Sequence, residues 1–375
     1  MTAAARPAAV LQRPLAQRSL IRRIGGRLVS PAVFDFWASR LHPAWSWDRP
    51  LARIVDRRIE SADSTTLLLQ PNRHWTGFRP GQHLNIGAEI DGRRIVRSYS
   101  LSDAPRTDGR IAITVKAVPG GTLSGHLCRD AEIGDVLTLG PAFGEMTLPD
   151  PPEGRWLFLA GGSGIAPLMA MIRAQAAAGM PVPISLMYWA GTRAALCFVD
   201  ELRALAASHP DFRLELLLTR DDASPEFRHG RIDAAQVSAF APDLHQRRVF
   251  ACGPDGFVAA ARASTEERAV AFRAEAFTPP PRIAADDADT GAVTLTLALS
   301  GRTLDVPRGV SLLSALEAAG LEPASGCRMG ICNTCACGKR AGTTRHLHTG
   351  DVEHEPASAL RLCVNSARSD LTLEL

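Results

Sequence analysis

The sequence predicts a multidomain protein: an antiparallel β-barrel, then an α/β domain built on a parallel sheet, then a small β-rich unit. Three observations carry this. Short apolar runs separated by turn dipeptides fill residues 51–150, strands alternate with helices over residues 151–277, and period-two alternation returns over residues 292–375. The length of 375 residues suits two or three cores rather than one. A content of 46% hydrophobic and 22% charged residues is that of a folded, water-soluble chain, and a net charge of +3 gives no reason to expect a nucleic-acid partner.

Residues 1–50 read as a basic N-terminal extension. Six Arg and no acid lie between Met1 and Phe34, so the excess positive charge is confined to this end. Leu20, Ile21, Ile24, Leu28 and Val29 can share one helix face beside Arg22, Arg23 and Arg27, a pattern able to lie on an anionic membrane surface. Trp37, Trp45 and Trp47 are aromatics of the interfacial kind. The alternative is that they pack on the barrel behind a basic tail. The extension lacks the unbroken apolar core of a secretory signal, so a cytoplasmic protein is expected, with peripheral membrane contact at most.

The barrel is read from the runs His83–Ile86, Arg94–Leu101, Ile111–Val118 and Val136–Leu139, divided by Pro80-Gly81, Asp91-Gly92, Asp108-Gly109 and Gly120-Gly121. Past Pro149 the rhythm changes. Strand Trp156–Ala160, helix Pro167–Ala178, strand Ile184–Trp189, helix Phe198–Ser208 and strands Arg213–Thr219 and Arg248–Ala251 imply a parallel sheet with right-handed crossovers. Residues 278–291, opening on Thr278-Pro-Pro-Pro, read as a linker that lets the last unit move. In that unit Val293, Leu295, Leu297 and Leu299 alternate with smaller or polar residues. A hairpin return over Arg302–Val306, a helix over Leu312–Ala319 capped by Ser311 and Gly320, and a closing strand Leu371–Leu375 follow.

Of eight Cys, four fall between Cys327 and Cys337. Cys327, Cys332 and Cys335 with the distant Cys363 give C-x4-C-x2-C…C, the spacing of plant-type [2Fe–2S] centres. Gly326 and Gly330 suit a loop whose backbone approaches a cluster closely. A zinc site is the alternative, but it would show paired C-x2-C units, and only one is present. His346, His348 and His354 could complete a mixed site; solvated loop positions are the simpler reading. Cys337 is out of register and reads as a non-ligand, and Cys128 and Cys197 as packing residues.

Four further motifs precede the cluster. Arg97-Ser98-Tyr99-Ser100 lies in a barrel strand. Gly121-Thr122-Leu123-Ser124 opens a short helix. Gly161-Gly162-Ser163-Gly164-Ile165-Ala166-Pro167 follows a buried strand and opens a helix, the context a dinucleotide-binding turn requires. A hydrolase nucleophile elbow at Ser163 fails, because Ile165 stands where its last Gly belongs. Cys252-Gly253-Pro254 ends a strand, and Glu275-Ala-Phe277 follows downstream.

In this order the motifs resemble the ferredoxin–NADP⁺ reductase superfamily, in the arrangement with a C-terminal plant-type ferredoxin domain, over about residues 51–375. The resemblance implies a flavin-binding barrel (51–150), an NAD(P)-binding α/β domain (151–277) and a β-grasp [2Fe–2S] domain (292–375). It implies that Tyr99 packs on the isoalloxazine, Ser100 bonds near N5, and Arg97 meets flavin phosphate. Gly121 and Ser124 would start a helix that receives a pyrophosphate, which favours FAD over FMN. Gly161, Gly162, Gly164 and Pro167 would cradle the nicotinamide dinucleotide, Cys252, Gly253 and Pro254 would orient its ring, and Glu275 and Phe277 would lie near the flavin. Electrons would pass from NAD(P)H through FAD and the cluster to a protein acceptor. The Cys-Arg-Met-Gly-Ile-Cys loop and the basic extension most resemble reductases serving membrane acyl-CoA desaturases, so fatty-acid desaturation is the expected context; a soluble ring-hydroxylating oxygenase or other monooxygenase is the alternative. NADPH is expected over NADH. No carboxylate stands in Ala190-Gly191-Thr192-Arg193 to hold a ribose 2′-OH, whereas Arg193 and Arg220 are placed to meet a 2′-phosphate.

Overall fold

The computed structural model describes residues 30–221, 226–278, 282–284 and 289–375. The expected helix face at Leu20–Val29 lies outside them. The first described element is α1 (Pro31–Leu41), with Pro at its start, where the missing N–H costs nothing. Asp35 of α1 accepts the Trp47 N–H at 2.6 Å and pairs with Arg49, while Asn72 Nδ2 donates to the Ala44 and Arg49 carbonyls. These bonds tie the strap to the barrel. Trp47 is half-buried edge-on to Phe34, whereas Trp37 and Trp45 are exposed.

The barrel comprises β1 (Leu51–Ser61), β2 (Ser64–Pro71), β3 (His83–Ile90), β4 (Arg93–Ser100), β5 (Ile111–Lys116) and β6 (Val136–Phe143), with α2 (Thr122–Arg129) between β5 and β6. Its strand order is β4-β3-β6-β1-β2-β5, antiparallel throughout, and a bridge from Leu101 to Ile113 brings the two ends together. Alternation delivers Ile54, Leu67, Leu69, Leu84, Ile86 and Ile113 to a dry core.

The second sheet runs β10-β9-β8-β7-β11-β12, all parallel. Its strands are β7 (Arg155–Gly161), β8 (Ile184–Ala190), β9 (Phe212–Leu218), β10 (Arg228–His229), β11 (Arg247–Gly253) and β12 (Ala271–Ala276). Helices α3 (Ile165–Ala177), α4 (Val199–Ser208), α5 (Ala234–Phe240) and α6 (Asp255–Thr265) connect them. Covered on both faces, β7 and β8 are apolar almost without interruption. The crossover order reverses between β7 and β11, and in such sheets ligands bind at the strand ends beside that point.

The third unit has a five-stranded sheet, β14-β13-β20-β15-β18, and a three-stranded one, β17-β16-β19. The strands are β13 (Ala292–Leu297), β14 (Thr303–Pro307), β15 (Ala336–Ala341), β16 (Thr344–His346), β17 (Val352–Glu353), β18 (Ala357–Arg361), β19 (Asn365–Ala367) and β20 (Leu371–Leu373), with helix α7 (Leu312–Ala318) across the core. The reading of 278–291 as a free linker needs correction at its C-terminal side. The Ile283 N–H donates to Leu347 O at 3.0 Å, and Asp289, nearly inaccessible, is paired with the buried Arg345 and with Arg368. Those residues belong to the third unit's packing.

Candidate flavin, nicotinamide and cluster sites

Strand β4 carries Arg97, Tyr99 and Ser100 at the barrel edge, and α2 packs against β4 and β5, so the helix opened by Gly121 starts beside that strand. A helix start leaves backbone N–H groups without intrahelical partners, a ready anion site. The Ser124 hydroxyl is spent inside the turn, between the Val118 N–H and the Gly121 carbonyl, so the anion would meet backbone rather than this side chain. Burial pushes the Tyr99 phenol up and the Arg97 guanidinium down, the latter helped by repulsion from Arg328. Among the described residues Arg97 has no carboxylate at ion-pair distance; its hydrogen bond goes to the Val96 carbonyl at 2.7 Å. A half-buried cation without a counter-anion, beside a helix start, suits a phosphate-bearing flavin.

At the switch point the glycines bring two motifs into contact. A Cβ on Gly164 would overlap the Cys252 carbonyl oxygen, and one on Gly161 would stand 2.8 Å from the Phe257 ring, which also covers Gly253. Gly162 has φ +57 and open space around it, leaving its backbone accessible to a ligand. Pro167 is buried in the first turn of α3. The register sets Cys252 directly beside Glu275, and the Phe277 N–H donates to Gly253 O at 2.8 Å. Pro254 precedes α6. The Cys252 thiol is fully buried, raised well above its usual range by that burial, and 3.6 Å from Met146 Sδ. That is a packing thiol and not a nucleophile.

Glu275 lies 3.7 Å from His83 Nδ1, and His83 stacks edge-on against Phe143. Burial lifts the carboxyl to about 7 and drops the imidazole to about 4, so near neutral pH a neutral imidazole faces a carboxyl at its midpoint and no ion pair forms. Because the Glu275 pKa rises from 4.5 in the unfolded chain to about 7, the folded state carries a penalty that grows above pH 4.5 and is complete above pH 7. Glu275→Gln removes it. Thermal unfolding of variant and wild type should coincide at pH 4, and by pH 8 the variant should lead by about 3 kcal/mol; parallel curves across that range would refute the assignment.

Arg193 and Arg220 sit past the ends of β8 and β9. The Arg220 guanidinium covers Gly191, and Arg193 lies 4.6 Å over the Phe227 ring. One expectation needs revision: Asp221 brings a carboxylate to this corner from β9, where it accepts the Arg193 N–H at 2.7 Å. It was invisible in the strip after β8 because it arrives from the neighbouring strand.

The cluster loop gathers its sulfurs as two pairs. The amides of Met329, Ile331 and Cys332 donate to Cys327 Sγ at 3.3 to 3.4 Å, and the Cys327 amide donates to Cys332 Sγ at 3.3 Å. Left-handed backbone at Arg328, Gly330 and Asn333 turns those amides inward. Within each pair, Cys327 with Cys332 and Cys335 with Cys363, the contact between the sulfurs lowers one thiol and raises the other. Thiolates supported by backbone donors match what iron requires. Cys337 points to the domain core, and burial lifts it to about 11. Sequence reasoning missed His83, Asn85 and Phe257, which belong to none of the motifs.

These features define an oxidoreductase of the flavin and iron–sulfur class. An oxidoreductase FAD-binding domain matches residues 52–147, an oxidoreductase NAD-binding domain 158–263, and a 2Fe-2S iron-sulfur cluster binding domain 295–365. The chain belongs to the ferredoxin–NADP⁺ reductase-like family with a C-terminal [2Fe–2S] domain, and its cofactors are FAD, NAD(P)H and the cluster. It is 34% identical over 366 residues to an NADPH oxidoreductase of Mycobacterium tuberculosis, covering 95% of this chain and 92% of the relative. It is 29% identical over 321 residues to the glycine betaine monooxygenase reductase subunit of Chromohalobacter salexigens, covering 79% and 87%. In fold it is similar to phthalate dioxygenase reductase, with TM-score 0.59 and 23% identity over 87% of this chain and 97% of that one.

Proposed function

We propose that this protein takes electrons from NADPH and delivers them through its ferredoxin domain to an oxygenase component. Bound FAD supplies the conversion from hydride pair to single electrons that a one-electron cluster needs. The chain's residues do the rest. Tyr99 offers a flat face to the isoalloxazine, Ser100 a hydroxyl near N5, and Arg97 and the α2 start hold phosphates. Gly162 admits the dinucleotide, Cys252 and Glu275 flank the nicotinamide, and Cys327, Cys332, Cys335 and Cys363 hold the cluster.

The observation that supports the reading is the meeting of Gly164 with Cys252, whose strand neighbour Glu275 reaches His83 of the barrel. Arg220 over Gly191 supports NADPH, and Asp221, already engaged by a backbone amide, is a weak competitor. The choice of an oxygenase follows relatives such as the glycine betaine monooxygenase reductase subunit. A membrane desaturase is the second reading. It is favoured by α1, which exposes Phe36, Trp37 and Leu41 beside Arg40, next to an Arg-rich terminus. Among the described residues no helix is long and apolar enough to cross a membrane.

The test is anaerobic bleaching of the flavin by NADPH and NADH, followed by reconstitution with each class of acceptor, with and without residues 1–34. NADPH should have the higher kcat/KM, and Arg220→Ala should lower it about tenfold or more while sparing NADH. A higher value for NADH sinks the cofactor preference. Loss of electron delivery to a membrane acceptor on truncation, with soluble acceptors unaffected, would move the acceptor to the desaturase.

A further inference from the structure

The barrel and the cluster loop meet through Asn85 of β3. The register pairs Asn85 with Ser98, inside the Arg97–Ser100 motif. Ser98 Oγ donates to Asn85 Oδ1 at 2.5 Å, and Asn85 Nδ2 donates to Thr334 Oγ1 at 3.0 Å, across 249 residues of sequence. Thr334 stands between Cys332 and Cys335, two residues from the first and adjacent to the second. Each group has one consistent role: the serine donates, the amide accepts and donates, and the threonine accepts.

Two glycines make room for this side chain. A Cβ on Gly326 would lie 2.8 Å from Asn85 Nδ2 and 2.9 Å from Cys332 Sγ, and a Cβ on Gly140 of β6 would lie 3.1 Å from Asn85 Cβ. The amide is therefore boxed by backbone on both sides of the domain boundary. A side chain that merely covered surface would need neither clearance.

We propose that Asn85 is a positioning residue: it seats the cluster loop on the flavin strand, with Ser98 orienting its amide and Thr334, between Cys332 and Cys335, receiving the contact. The proposal rests on the reading of β4 as the flavin strand and names the residue that fixes how near the cluster ligands lie to it. Interatomic placement at a reacting junction is steep in its effect, so a small loss of seating is costly.

The experiment compares wild type, Asn85→Ala, Asn85→Leu, Thr334→Val and Thr334→Ser as holoproteins, with iron content measured on each. Amide hydrogen exchange is followed across residues 326–336 without turnover, and stopped-flow absorbance follows flavin bleaching and cluster reduction separately. Asn85→Ala and Asn85→Leu should keep iron and the wild-type bleaching rate. They should exchange faster in the cluster loop and reduce the cluster about tenfold more slowly or worse. Thr334→Val should show the same two losses, Thr334→Ser, which keeps the hydroxyl, neither, and Asn85→Ala with Thr334→Val should cost no more than either alone. Exchange and cluster reduction unchanged by Asn85→Ala would overturn the proposal, even if Thr334→Val lost iron for reasons of its own. Failure of the underlying reading would show differently, as wild-type flavin that NADPH does not bleach.

Discussion

Replacing Cys327, Cys332, Cys335 or Cys363 singly with Ala is expected to strip the cluster and end electron delivery to any acceptor that takes electrons from it. Two irons need four thiolates, and each of these residues would supply one, so a single deletion leaves the set incomplete. NADPH should still bleach the flavin in all four variants, because the four residues lie in the third unit, outside the barrel and the α/β domain. Cys337→Ala is the control. It packs in the core at partial burial, so the cost should be about 1 kcal/mol of stability with iron retained. Iron content and visible absorbance decide the matter. Loss of iron from Cys337→Ala, with retention in Cys335→Ala, would reverse the ligand assignment.

The second large effect is expected at Gly164. An added methyl group would occupy the space of the Cys252 carbonyl oxygen, and no flexible side chain is there to yield. The α3 turn must then part from the end of β11, separating the two nicotinamide motifs. Gly164→Ala should lower kcat/KM for NADPH by roughly 100-fold, with a stability loss of about 1–3 kcal/mol. Gly162→Ala meets nothing within 4 Å and pays only for its left-handed backbone, about 1 kcal/mol. Equal kinetic losses in the two variants would show that the turn responds to backbone strain rather than to the contact with Cys252.

The architecture was legible wherever local pattern decides it. Short apolar runs between turn dipeptides marked β3 and β5, period-two alternation marked β13, and uninterrupted apolar runs marked β7 and β8, because a sheet covered on both faces needs no polar side. Elements whose signals were terminal rather than periodic escaped. Helix α1 is announced by Ser30 and Pro31, and α6 by Pro254, caps that the eye passes over without a strong apolar stripe. The loop and turn motifs of the site are contiguous in sequence and could be read there. The partners that make them a site are not: His83 meets Glu275, Asp221 meets Arg193 and Asn85 meets Thr334 only after separate elements pack. No single-strand pattern encodes such meetings.

The anchoring of Ile283 and Asp289 to the ferredoxin unit sets a leash length. The reductase half holds the chain as far as Thr278, whose hydroxyl accepts the Asp255 N–H at 3.0 Å, and the ferredoxin half takes it up at Ile283. The intervening residues, three of them consecutive prolines, can span roughly 20 Å even when fully extended. On so short a tether the ferredoxin unit can tilt or lift from the barrel, but it cannot travel a protein's width to meet an acceptor. The acceptor must come to it, and the rim it would find is the cluster loop itself, where Ile331 stands exposed. Electron delivery by this protein is then a matter of which surfaces fit over that rim, and lengthening the leash should widen the choice of acceptors rather than speed the preferred one.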